Sequence, residues 1–267
     1  MRSTVLEYDI SKVIELARVG KRVDGRALDE MRDFTITLNK FENAEGSAIV
    51  QLGETQVISG IKMLVDKPYP DNPNEGAISV GAELLPLAHG DYEYGPPSMD
   101  EIEVARVVDR GLRESKAIDF TKLCIKEGEA AFVAFFDFYA VNSDGNLFDA
   151  GSIAGIASFL NAKIPKLDEE NRIVKQEYAG KIELKRIPLL TTFVKVGGRI
   201  LVDPTYIEEK AAEARFSVAT TDDGFMSAMQ KGVGGSFTLE EVNYMIDTGF
   251  KVANETRKKL LKMVGKK

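Results

Sequence analysis

Three arginines at helical spacing are the residues best placed to do chemistry. Arg106, Arg110 and Arg113 stand at i, i+4 and i+7, so on a helix they form one cationic stripe. At a rise of about 1.5 Å per residue the stripe spans about 10 Å, the reach of two successive backbone phosphates. A guanidinium fork pairs bidentately with phosphate oxygens, so the chemistry indicated is phosphate binding. The competing reading is a solvated face laced by local ion pairs. Glu103–Arg106, Arg106–Asp109, Asp109–Arg113 and Arg110–Glu114 all lie at i+3 or i+4, and each such pair contributes only about 0.3 kcal/mol.

Two further groupings come next. Gly151-Ser152-Ile153 falls at or inside a helix start, where a Gly-Ser turn offers amides and a hydroxyl to an anion. The plainer reading is that Gly151 and Ser152 start and pack the helix. Asp203, Glu208, Glu209 and Glu213 can supply a general acid or a divalent-cation site. A charged surface link is the plainer reading there, because nothing fixes their spacing as ligands. Met226 and Met229 read as packing residues.

The stripe needs a helix to carry it, and residues 98–117 provide one. Ser98 and Glu101 make a capping box, Pro96 and Pro97 block any helix before it, and Val104, Val107, Val108 and Leu112 give the apolar face. Ahead of it come an amphipathic helix over 6–20 and strands over 34–40, 47–53, 55–65 and 77–87, with a turn at 53–54 and a Pro-rich loop at 67–75. After it, 121–128 and 130–145 read as two long strands. The second is apolar on both faces and therefore central. A small-residue helix spans 146–162, and 166–180 reads as a polar, exposed connection dividing the chain into 1–180 and 181–267. The second part repeats strands and helix. It has strands over 181–187, 189–197 and 198–204, a hairpin around Asp222-Asp223-Gly224, and a helix from a capping box at Thr238 and Glu241. Strands then helix, twice over, is a β-rich α+β pattern.

Bulk properties limit the functions available. The 267 residues suffice for one large domain or two intimate ones. A net charge of −7 argues against a whole-surface attraction for nucleic acid, so any polyanion site is local. One cysteine, Cys124, permits no disulfide frame, and with a single histidine, His89, a zinc site is not expected. No run is long and apolar enough for a membrane span, and the first residues lack a signal-peptide core, so an intracellular, cytoplasmic protein is expected.

Several stretches together resemble the RNase PH family. They are Arg22 with Gly25-Arg26, Ala44 to Ser47, Gly53 to Val57, Arg110 to Ser115, Asp144-Gly145-Asn146 with Asp149-Ala150-Gly151, and Glu213-Ala214-Arg215 with Val218-Ala219. They follow the family's order over nearly the whole chain. The resemblance implies an RNase PH-like fold (ribosomal protein S5 domain 2-like), α+β, with two β-rich halves packed with helices. VARVVDRGLRESKAIDFTKL and the helix before GKRVDGR look like the non-catalytic member of the archaeal exosome ring.

Two departures carry the functional expectation. Where active members hold inorganic phosphate with Gly-Thr-Arg, this chain has Gly151-Ser152-Ile153, and Ile153 brings no charge. Where they place an acid in Glu-Ala-Asp, this chain has Arg215, which cannot give up a proton at neutral pH. The resemblance therefore implies a subunit without its own chemistry. It holds the RNA 3′ end on Arg106, Arg110 and Arg113, while a catalytic RNase PH-like partner uses inorganic phosphate for 3′-to-5′ phosphorolysis and tailing. It further implies a hexameric ring of three heterodimers, cap proteins of the S1 or KH type, single-stranded RNA as ligand, and no cofactor or metal of its own. Two other readings stay open: an active phosphate-dependent exoribonuclease using Asp203, and a purely structural scaffold.

Overall fold

The computed structural model describes residues 2–265. The first sheet is built from β1 (Phe34–Leu38), β2 (Gly46–Leu52), β3 (Thr55–Asp66), β4 (Ala77–Leu84), β5 (Cys124–Lys126) and β6 (Ala130–Asn142). Its order is β1-β2-β3-β6-β4, with β5 also on β6. Every pairing is antiparallel except β4 with β6. The turn at 53–54 joins β2 to β3 as expected, and Gly53 takes the positive φ such a turn needs.

β6 is central, as its apolar content predicts, but only one of its faces is covered. Phe132, Ala134, Phe136 and Phe138 are buried, whereas Val133, Phe135, Asp137 and Tyr139 on the alternate face are half-buried. The long strand expected over 121–128 is instead a turn of 3-10 helix, Phe120–Leu123, followed by the short β5. Asp119 explains the turn: its carboxylate accepts the Thr121 amide and hydroxyl, a local bond that competes with extended pairing.

Against the covered face lie α2 (Met99–Glu114) and α3 (Leu147–Asn161). α3 is buried from Leu147 to Leu160 because a second sheet closes over its other side. That sheet has the order β10-β9-β11-β12, from β9 (Leu189–Val196), β10 (Arg199–Val202), β11 (Ala214–Thr220) and β12 (Met226–Gly232). Its far face takes the C-terminal α5 (Leu239–Val264), which begins at the expected Thr238–Glu241 capping box. α1 (Arg2–Arg18) sets Val13 and Ala17 against Val194, Val196 and Leu201 of the same sheet. The layers therefore run sheet, helices, sheet, helices.

Residues 163–181 differ from the open connection expected there. They form a hairpin of β7 (Lys163–Leu167) and β8 (Ile173–Lys181), exposed along most of β8. A strand wetted on both faces leaves no alternation to read. The expected strand over 181–187 reduces to a single bridge, Ile118 with Leu184. A short α4 (Tyr206–Lys210) occupies the Glu/Ala link before β11. No helix among the described residues is long and apolar enough to cross a membrane.

Candidate nucleic-acid interface

α2 is anchored at its start. Ser98 accepts the Glu101 amide at 3.2 Å, Glu101 reaches back to the Ser98 amide, and the same carboxylate accepts the Leu84 amide at 2.8 Å. The cap thus ties the helix to the end of β4. Val104, Val107, Val108, Gly111 and Leu112 are buried. A Cβ on Gly111 would stand 3.3 Å from the Ala219 methyl, so glycine lets the helix approach β11.

The opposite face of α2 borders a groove of about 380 Å3 against β11 and β12, lined by Arg106, Arg110, Ile102, Met229 and Gln230 among others. Arg106 and Arg110 are exposed. Among the described residues neither makes an ion pair, and two of the three acids beside them are engaged elsewhere. Glu103 binds Arg215 and Asp109 binds Arg113. Of the four pairs permitted by spacing, only Asp109–Arg113 forms. Arg113 donates to both Asp109 oxygens, at 3.1 and 2.7 Å, and to the Ile78 carbonyl at 3.0 Å. The stripe therefore divides: two free cations over the groove, and a third spent on holding α2 to β4. Met229, read as a packing residue, is 45 % exposed on the groove wall, and Met226 is likewise exposed.

Gly151-Ser152-Ile153 is not at a helix start. α3 begins at Leu147, after an Asn146 cap with φ of 56° whose side chain accepts the Asp149 amide. The tripeptide lies in the second turn, where amides belong to the helix ladder. Ser152 accepts the Leu190 amide at 3.0 Å. Gly151 is there for packing, since a Cβ would come within 2.9 Å of the Phe138 ring. Ile153 is 1 % exposed, in the main core. The packing reading of these residues holds, and they offer no anion cradle.

Arg215, the second residue of β11, lies beside a separate cavity of about 130 Å3, lined also by Tyr92, Asp100, Glu103, Phe148 and Glu209. Its guanidinium lies 4.2 Å over the Phe148 ring, and Nη2 binds Glu103 at 2.5 Å. Glu209 accepts the Asn146 amide at 2.9 Å, and burial pushes its carboxyl up to about 7. Three carboxyls face one arginine that is already paired. Such a lining disfavours a phosphate dianion.

Asp203 is fully buried and cannot meet a substrate. It accepts from Arg32 at 2.8 and 2.9 Å, from Arg26 at 3.0 Å and from Asn146 at 2.6 Å. These arginines hold its carboxyl below the usual range against burial. Glu208 is likewise buried, paired with Arg22 at 2.5 Å. The two acids are braces between the segment before β1 and the link after β10, which corrects the expected surface link and leaves the alternative of Asp203 as a catalyst without support. Among the described residues no group of three or more His, Cys, Asp or Glu could hold a metal ion.

Comparison with known proteins adds to this geometry. The 3′ exoribonuclease family matches the chain twice, its domain 1 over residues 30–165 and its domain 2 over 186–252. The exosome complex component Rrp42 of Thermococcus gammatolerans is 45 % identical over 257 residues, which cover 95 % of this chain and 94 % of that protein. That of Methanopyrus kandleri is 41 % identical over 250 residues, 92 % of this chain and 93 % of that protein. A chain of the Archaeoglobus fulgidus exosome with RNA bound to the active site superposes with a TM-score of 0.90 at 39 % identity, over 96 % of this chain and 99 % of that one. A chain of an archaeal exosome core gives 0.86 at 37 % identity, over 97 % and 98 %.

Proposed function

The chain belongs to the RNase PH (3′ exoribonuclease) family, and from that premise we infer that it is a non-catalytic, RNA-holding subunit of an archaeal exosome ring. The observation that carries this reading is the contrast between two sites. Arg106 and Arg110 stand unpaired over an open groove, while the positions where an active member would hold phosphate and an acid are filled by the core residue Ile153 and by Arg215, locked to Glu103. The relatives named as exosome components and the RNA-bound exosome support the same reading.

Function divides between neighbours. A catalytic RNase PH-like subunit binds inorganic phosphate, which attacks the terminal RNA phosphodiester and releases a nucleoside diphosphate. This chain contributes Arg106 and Arg110, which hold backbone phosphates with little regard for base. Fixing the strand in line lowers the barrier without any bond chemistry from this chain. Arg113 contributes by keeping α2 in place. Three heterodimers close the ring, S1- or KH-type proteins cap it, and the cytoplasm is the compartment.

RNA cross-linking tests the contact directly. Photoreactive single-stranded RNA in the reconstituted ring is expected to form adducts within residues 99–113 or on β12. Adducts confined to the partner would favour the scaffold reading.

A further inference from the structure

Glu103 stands in the wall between the α2 groove and the cavity beside Arg215, since it lines both. Among the described residues it is the only acid in the groove's lining. It also lies three residues before Arg106, a spacing at which a helix pairs an acid with a base. Left to the helix alone, Glu103 would neutralise Arg106 or set a negative charge beside any phosphate in the groove. Its carboxylate instead reaches across to Nη2 of Arg215 on β11.

The fold makes a seat for that guanidinium. In the strand register Arg215 stands opposite Gly232 of β12. Gly232 has no left-handed φ, so no turn calls for glycine there. A Cβ at that position would come within 2.8 Å of the guanidinium carbon, so glycine leaves the space in which the group lies. The Phe148 ring, 4.2 Å away, is a second contact. Glu103 is the only hydrogen-bond partner of the Arg215 side chain among the described residues, and Nε is buried with none. An unmet buried donor is costly, and a largely desolvated ion pair gives a fold little that an apolar side chain of similar size would not. Stability alone therefore does not account for an arginine here.

We propose that Arg215 is a positioning residue for RNA: by holding Glu103 on the cavity side, it clears the groove of its one acid and leaves Arg106 free for a backbone phosphate. The inference rests on the RNA-holding reading. Arg215 acts through Glu103 and does not itself touch the strand. Without it, Glu103 is released to the groove, where it has two ways to oppose a phosphate. It can occupy the Arg106 guanidinium, or it can repel the phosphate as a like charge. Arg110 lies about two turns from Glu103, so the effect falls chiefly on Arg106.

The test uses the full chain assembled with its catalytic sister, with fluorescence anisotropy of labelled single-stranded RNA at low salt and thermal melting of the chain alone. Arg215→Met keeps the bulk of the side chain and drops its charge. It is expected to weaken RNA binding at least about threefold, and adding Glu103→Gln to the same chain is expected to return the affinity to the wild-type value. Arg215→Lys keeps a cation for Glu103 and should bind nearly as the wild type does. Arg215→Gln replaces Arg215→Met if melting shows that variant unfolded. Wild-type affinity in Arg215→Met overturns the proposal. So does a loss that Glu103→Gln does not relieve, in favour of damage to the fold or a direct contact between Arg215 and RNA. If Arg106→Ala leaves RNA binding intact, the RNA-holding reading itself fails and this inference falls with it.

Discussion

An arginine holds a phosphate only where no carboxylate holds it first. On α2 that condition separates three residues of one type. Arg106 and Arg110 meet it: Glu103 is turned to Arg215 and Asp109 to Arg113, and among the described residues Glu114 forms no pair with Arg110. Replacing either with alanine should weaken single-stranded RNA binding by the ring and lower the salt slope, log K against log salt, by about 0.7. Fluorescence anisotropy across a salt series measures both. Arg113→Ala should instead cost about 1 kcal/mol of stability and leave the slope nearly unchanged. The spacing of the stripe was legible in the sequence. Which of the four possible pairs forms was not, because that depends on Arg215, more than a hundred residues away. Asp149 offers a second residue-scale test. It is fully buried, and burial pushes its carboxyl up to about 7 against donors from Asn146 and Thr192. The folded chain thus keeps a proton that the unfolded chain releases near 3.8. The stability this contributes is complete below that value and is lost as pH rises through about 7. Relative to Asp149→Asn, the wild-type Tm should fall over that window, and a flat difference would contradict the assignment.

At the scale of elements, α2 and α5 were read correctly because each announces itself with a capping box and an apolar face. The cap on α2 does more than its sequence shows, since Glu101 also accepts the Leu84 amide and fixes the helix to β4. Glu101→Ala should therefore cost about 2 kcal/mol, a cap and a buried amide together. It should also weaken RNA binding by misplacing both arginines, whereas Glu101→Gln should restore much of each, as melting and anisotropy on the same samples would show. α3 was legible as a helix nearly to its ends, but the place of Gly151 and Ser152 within it was not. Its start is fixed by Asn146 in the left-handed region, so Gly151 and Ser152 fall one turn inside the helix rather than at its anion-binding end. The β7–β8 hairpin and the 3-10 turn at 120–123 escaped for a related reason: exposed strands lack periodicity, and an aspartate cap outweighs β propensity locally.

At the scale of the molecule, the α+β class and the repeated strands-then-helix order followed from pattern, while the stacking of two sheets about a shared helical layer needed coordinates. That stacking explains why Asp203 and Glu208, read as a charged surface link, are buried. Arg22, Arg26 and Arg32 cross from the first part of the chain to Glu208 and Asp203 in the second, so burial turns candidate catalysts into braces. It also leaves one sheet face bare and one groove open, as befits a subunit whose site is completed by a neighbour. The most direct test is phosphate-dependent release of nucleoside diphosphates from single-stranded RNA, measured for this chain alone, for the ring, and for the ring carrying Arg106→Ala and Arg110→Ala. The account predicts no release alone, robust release by the ring, and at least about a tenfold loss in the double variant. Phosphorolysis by the isolated chain, or a double variant as active as the wild-type ring, would contradict it.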